Sequence, residues 1–127
     1  MLRFAELGST NSYLLQQPEL CAQHGLVVLA EHQTAGRGRM GRSFHSHGRD
    51  TLTASLVIHT AEPPALQPMW ALWCGLAWWR VLQGEEIENL RLKWPNDVWI
   101  SQRKVAGILV EAGPWRVADL QSLVLGT

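Results

Sequence analysis

At 127 residues the chain has room for one domain and one sizeable core, but not for two. Its apolar fraction of 46% and charged fraction of 17% belong to an ordinary globular protein, not to a disordered or fibrous one. A formal net charge of zero gives no global reason to seek nucleic acid or a membrane surface. Charge is nevertheless uneven. Arg37, Arg39, Arg42 and Arg49 fall between Gln33 and Asp50, while Glu85, Glu86 and Glu88 form a small acidic cluster. Local basicity in a neutral chain points to a small anionic ligand. The two cysteines, Cys21 and Cys74, lack metal-like spacing and read as two buried thiols. With no apolar h-region in Met1–Thr10, they fit a reducing cytoplasm. The most apolar stretch, Met69–Trp79, is far short of the roughly 20 residues that cross a bilayer, so it reads as a core element.

Ser9-Thr10-Asn11-Ser12 offers N-caps for a short helix that ends before Pro18. Leu26–Ala30 is a continuous apolar run and reads as a buried strand. A Gly/Arg-rich loop from about Gln33 to Arg49 follows, and loops of that length in compact domains are usually functional or disordered. Thr51–Ile58 is a second strand, stopped by Glu62-Pro63-Pro64. Leu66–Leu82 is helical and apolar almost all round, which predicts a helix buried on most sides with its four tryptophans in the core. Leu90–Trp94, Val98–Ile100 and Val105–Glu111 are strands, with Pro95-Asn96-Asp97 and Ser101–Arg103 as turns, and Leu123–Gly126 begins a last strand. The fold class is α+β: a mixed, largely antiparallel sheet with helices packed on one face.

Gly36-Arg37-Gly38-Arg39-Met40-Gly41-Arg42 combines a backbone that folds tightly with three planar, permanently charged forks. That suits a phosphate or carboxylate. No Gly-Lys-Ser/Thr follows, so it is not a P-loop, and its glycine spacing is not that of a dinucleotide fingerprint. By composition alone, a segment binding RNA without sequence preference is an equal rival. Lys93-Trp94-Pro95-Asn96-Asp97 then places a cation, an aromatic ring, an amide and a carboxylate at one turn. Lys104 opens Lys104-Val105-Ala106-Gly107-Ile108-Leu109-Val110-Glu111, an ammonium at the mouth of an apolar slot.

In order and spacing, Ser9-Thr10-Asn11, Gln33–Arg42, Lys93–Asp97 and Lys104–Glu111 resemble the catalytic domain of biotin–protein ligases over nearly the whole chain. The resemblance implies a class II aminoacyl-tRNA-synthetase-like fold. It also implies ATP-dependent formation of biotinyl-5′-AMP, then transfer of biotin to a lysine of a biotin carboxyl carrier protein. Mg²⁺ would accompany ATP, with no metal ligand assigned to the protein. Ser9, Thr10 and Gln33 would bind the ureido end of biotin, Gly36 and Arg37 would close over it, and Gly107 and Leu109 would line the slot for its apolar part. Arg39 and Arg42 would face the phosphates, and Phe44, Asn96 and Asp97 the nucleotide. Lys104, between the carboxylate and the α-phosphate, is the leading catalytic group, followed by Arg39 and by Asp97 as proton acceptor. Family loops of this kind are mobile until ligand orders them.

Phe44-His45-Ser46-His47 stands where the family has Trp-x-Ser-Pro; Phe44 can still stack, and His45 and His47 read as solvated rather than as a metal pair. The family continues past the final strand into Gly-x-Gly-x-Asn, which predicts an incomplete catalytic domain over 1–127, without a winged helix or a C-terminal β-barrel. The expected partners are therefore biotin, ATP and the carrier, not DNA or a membrane; a homodimer is compatible with the sequence. The alternatives are a remnant that binds biotin and ATP weakly without turnover, and a lipoyl or octanoyl relative, which would lack this arginine loop.

Overall fold

A computed structural model describes residues 1–46, 50–85 and 87–127; His47, Arg49 and Glu86 of the sequence reading lie outside them. Leu2–Leu7 forms β1, Thr10–Leu15 α1, Pro18–Cys21 α2, Val27–Gln33 β2 and Thr53–Thr60 β3. Gln67–Gln83 forms α3, followed by β4 (Leu90–Lys93), β5 (Asp97–Ile100), β6 (Arg103–Gly107), β7 (Leu109–Val117) and β8 (Leu120–Gly126). The strands build a five-stranded sheet in the order β1-β2-β3-β8-β7 and a three-stranded sheet in the order β4-β5-β6. Among the described residues β1 and β2 run parallel and every other strand pair is antiparallel. This is the mixed, largely antiparallel α+β fold expected from the element pattern.

Ser9 caps α1 in extended conformation, its hydroxyl accepting the Ser12 N–H at 3.4 Å. Pro18 occupies the first turn of α2, where its missing N–H costs nothing. The first core joins these helices to the large sheet through Leu14, Cys21, Leu26, Val28, Val57 and Val124. Val57 and Val124 are register partners on β3 and β8, so they present one apolar face to α1. The second core is smaller: Ala71, Val98 and Ile108, flanked by Cys74, Trp78, Leu82, Leu90, Ala106 and Val110. It fastens α3 to the small sheet.

Three expectations change here. First, α3 is not buried on most sides. Only Ala71 and Gly75 are buried, while Met69, Trp73, Leu76 and Val81 are exposed. One stripe of small residues fits against Leu92 and Ile108, and an all-round apolar sequence cannot reveal which stripe that is. Second, Val105–Glu111 is not one strand. It breaks at Ile108 into β6 and β7, which belong to different sheets. Third, Cys21 is buried but Cys74 is only partly so. Burial pushes both thiols above the ordinary range; for Cys21 a hydrogen bond from Ser122 opposes the shift and the Glu19 charge adds to it. β1, unread in the sequence, pairs with β2 from Leu2↔Val28 to Leu7↔Gln33. Among the described residues no helix is long and apolar enough to cross a membrane.

Leu14 is fully buried, so Leu14→Ala is expected to cost about 2–5 kcal/mol in urea unfolding through transfer and cavity terms. Trp73, 51% exposed, should cost less than half as much when replaced by alanine. Equal losses at the two positions would contradict the burial pattern.

Candidate active site

The Gly36–Phe44 segment is a small hairpin. Phe44 N–H donates to Gly36 O at 2.8 Å, Arg37 and Ser43 bridge, and Gly38 N–H donates to Arg42 O at 2.7 Å. Met40 (φ 56°) and Gly41 (φ 72°) turn the chain at its tip, two left-handed residues in succession as primed hairpin turns require. A side chain at Gly36 would put Cβ 2.4 Å from the Phe44 carbonyl oxygen, so the hairpin closes only on glycine. Its far end is pinned by buried Ser46, whose hydroxyl accepts the Gln33 N–H at 2.8 Å.

Beneath the hairpin lies a cleft open to solvent. One wall is a buried polar network. Thr10 N–H donates to Gln33 Oε1 at 2.8 Å and the Thr10 hydroxyl lies 3.1 Å from the same oxygen, which leaves the Gln33 amide N–H groups to donate elsewhere. The Ser55 hydroxyl lies 2.7 Å from the Thr10 hydroxyl and 2.5 Å from Asn11 Oδ1. Asn11 Nδ2 donates to Glu111 Oε2 at 2.9 Å. Gly126 makes room for this amide, since a Cβ there would lie 2.3 Å from Asn11 Oδ1.

The cleft also holds three cations. Lys104 Nζ pairs with Asp97 Oδ1 at 2.7 Å, and Gly107 clears its path: a Cβ at that position would sit 2.6 Å from the ammonium. Arg37 Nη2 pairs with Glu111 Oε2, also at 2.7 Å. Arg39 Nη1 meets only the neutral Asn96 Oδ1, at 3.2 Å, and forms no ion pair among the described residues. Asn96 is held in turn by donating to Ile108 O at 2.8 Å. The Trp94–Pro95 peptide of this turn is cis. Ile108, Leu109 and Phe44 add apolar surface.

Ser9, Thr10, Gln33, Arg37, Arg39, Phe44, Asn96, Lys104, Gly107 and Leu109 thus share one cleft. Gly36 and Asp97 stand just behind it, closing the hairpin and holding Lys104. Arg42 ends the hairpin turn with an exposed side chain outside the cleft. Sequence reasoning gave no role to Asn11, Ser55 or Glu111. A carboxylate closing an apolar run was the available signal for Glu111, and an inward hydroxyl on an alternating strand the one for Ser55. Neutral hydrogen-bonding groups, three cations and apolar surface lining one cleft suit an elongated ligand with a polar neutral head and an anionic end.

The family model described as the biotin/lipoate A/B protein ligase family matches residues 4–127, and the chain belongs to that family. It is 37% identical over 121 residues to the bifunctional ligase/repressor BirA of Escherichia coli, covering 94% of this chain and 37% of that protein. Against the biotin–[acetyl-CoA-carboxylase] ligase of Mycobacterium tuberculosis it is 39% identical over 115 residues, 84% of this chain and 42% of the relative. The solved structure of biotin protein ligase from Aquifex aeolicus in complex with biotin and ATP superposes with a TM-score of 0.78 at 29% identity, over 98% of this chain and 50% of that one. The chain therefore spans about two fifths of the length of these curated relatives.

Gly36→Ala is expected to open the hairpin, because the obstructing atom is backbone and cannot swing aside. Trypsin should then cut faster after Arg37, Arg39 and Arg42. Gly8→Ala, with open space around its Cβ, should leave cleavage unchanged.

Proposed function

We propose that this chain carries out the adenylating and transfer chemistry of an ATP-dependent biotin–protein ligase. Biotin carboxylate attacks the α-phosphorus of ATP, forming biotinyl-5′-adenylate and releasing pyrophosphate. The ε-amine of a lysine on a biotin carboxyl carrier protein then attacks the mixed anhydride, forming an amide and releasing AMP. The observation carrying this reading is the gathering of a neutral hydrogen-bonding wall and three cations around one cleft.

The first step brings two anions together, so its barrier is dominated by their repulsion and by positioning. Ser9, Thr10 and Gln33 suit the ureido head, with donors from Gln33 and the capped Ser9 hydroxyl left over after their internal bonds. Gly107 and Leu109 are assigned to the apolar part and Arg37 to its cover, with Gly36 closing the hairpin that carries Arg37. Lys104 is assigned to the junction of carboxylate and α-phosphate, where its ammonium offsets the charge that builds up in the transition state. Arg39, the lining cation without a carboxylate partner, is assigned to the phosphates, with Arg42 reaching them from the hairpin end. Phe44 and Asn96 are assigned to the nucleotide.

Asp97 keeps Lys104 in place and accepts the proton of the incoming amine. ATP enters as its magnesium complex. Asn96 and Asp97 offer one amide and one carboxylate oxygen, which suits an ion held mainly by phosphates and water. Free Cys21 and Cys74 accord with work in the cytoplasm.

Incubation with biotin, ATP and Mg²⁺ should yield biotinyl-adenylate detectable by mass spectrometry, and biotinylated carrier when that protein is added. Lys104→Ala should lower adenylate formation by about 10²–10³-fold, the usual cost of one group that stabilises developing charge. Absence of both adenylate and a biotin-dependent thermal shift would overturn the reading.

A further inference from the structure

Glu111 is the one carboxylate that touches both the hairpin and the buried wall of the cleft among the described residues. Its Oε2 accepts from Arg37 Nη2 at 2.7 Å and from Asn11 Nδ2 at 2.9 Å. Asn11 is 3% exposed and continues inward through Ser55 and Thr10 to Gln33. The carboxylate is therefore already oriented by the interior before the guanidinium arrives. We infer that Glu111 is a positioning residue that holds the Arg37 arm of the hairpin closed over the cleft and ties that closure to the wall formed by Asn11, Thr10 and Gln33.

An ion pair with side chains 43% and 24% exposed ordinarily contributes little to global stability. Two features change what it controls. Glu111 loses little freedom on pairing, since Asn11 already fixes it. The event at stake is also the opening of a short hairpin, whose cost lies at the low end of local unfolding energies, so one charge-assisted contact is decisive there. A second polar tie, Arg39 Nη1 to Asn96 Oδ1, is longer at 3.2 Å and has a neutral acceptor. Anion entry then has a defined local consequence: a carboxylate or phosphate that draws on Arg37 competes with Glu111 for the same guanidinium. The effect on biotin affinity rests on the function proposed above; the effect on hairpin closure does not.

The test uses the whole chain without ligand and follows amide hydrogen exchange of residues 36–44 by mass spectrometry. Glu111→Gln keeps an oxygen for Asn11 but removes the charge that holds Arg37. Exchange at Gly38 and Phe44, whose N–H groups close the hairpin, should rise about tenfold, the usual scale for losing one charge-assisted bond that gates a local opening. Arg37→Gln should do the same, and the double variant should add nothing further. In the unaltered chain, raising KCl should speed exchange toward the variants' rate while leaving the variants nearly unchanged. A purely structural role for Glu111 would not produce that salt signature. Biotin affinity should fall by a similar factor in Glu111→Gln. Exchange within twofold of the unaltered chain in both single variants, or additive effects in the double, would overturn the inference. Should Glu111→Gln fail to fold, Arg37→Gln probes the same contact from the exposed side. Failure of the unaltered chain to bind biotin would count against the proposed function, with the exchange result still deciding the role of Glu111.

Discussion

The cleft depends on one buried chain of hydrogen bonds, Gln33–Thr10–Ser55–Asn11–Glu111, which joins α1 to three strands of the large sheet. Buried polar groups of this kind are costly unless all are satisfied. Here the accounting closes. Asn11 Oδ1 and Gln33 Oε1 can only accept, and the two hydroxyls of Ser55 and Thr10 bring one proton each to three contacts. With Ser55 donating across the shortest of them, to Asn11, the Thr10 proton serves either neighbour, and Gln33 Oε1 still receives the Thr10 N–H. No acceptor in the chain is stranded. The helix start is thereby locked to the sheet by chemistry as well as by Leu14 in the core below it.

That lock fixes where charge can sit. Three cations line the cleft, and two of them have carboxylates at 2.7 Å, leaving the excess positive charge on Arg39. Of the clustered arginines, Arg37 and Arg39 line the cleft, while Arg42 is exposed outside it. On the proposed function, an anion entering the cleft is drawn first to Arg39. It engages Arg37 and Lys104 only by sharing them with Glu111 and Asp97. The site is therefore close to neutral without ligand, which lets three cations coexist in a small space without strong mutual repulsion.

Much of this was legible in the sequence, for reasons that differ by element. Ser9 marks α1 because capping is local chemistry, whereas Pro18, read only as the end of that helix, also opens α2, which the sequence reading did not contain. The Gly36–Arg42 motif, read as a loop and not as the hairpin it forms, and the Lys93–Asp97 turn are legible because their residue types have few other uses, and their joint occurrence disfavours the RNA-binding rival. What stayed hidden was relational. The exposed face of α3 depends on which stripe meets Leu92 and Ile108, and an all-round apolar helix carries no such mark. β1 escaped because Leu2 and Phe4 give too short an alternation to stand out. Glu111 and Ser55 acquire meaning only once register places them beside Asn11 and Thr10, residues far away in the chain.

The break at Ile108 shows how topology turns a single apolar run into two tools. Read as one strand, Lys104–Glu111 would carry its two charges at opposite ends of one sheet edge. Ile108 prevents this: its N–H donates to Asn96 O and its carbonyl accepts Asn96 Nδ2, both at 2.8 Å, so the chain is clamped to the Lys93–Asp97 turn at that residue. Upstream, β6 stays with β5 and brings Lys104 to Asp97; downstream, β7 joins β8 and delivers Glu111 to Asn11 and Arg37. The same Asn96 receives Arg39 from the hairpin. A buried isoleucine and one amide thus set how far apart Lys104 and Arg37 stand in the cleft.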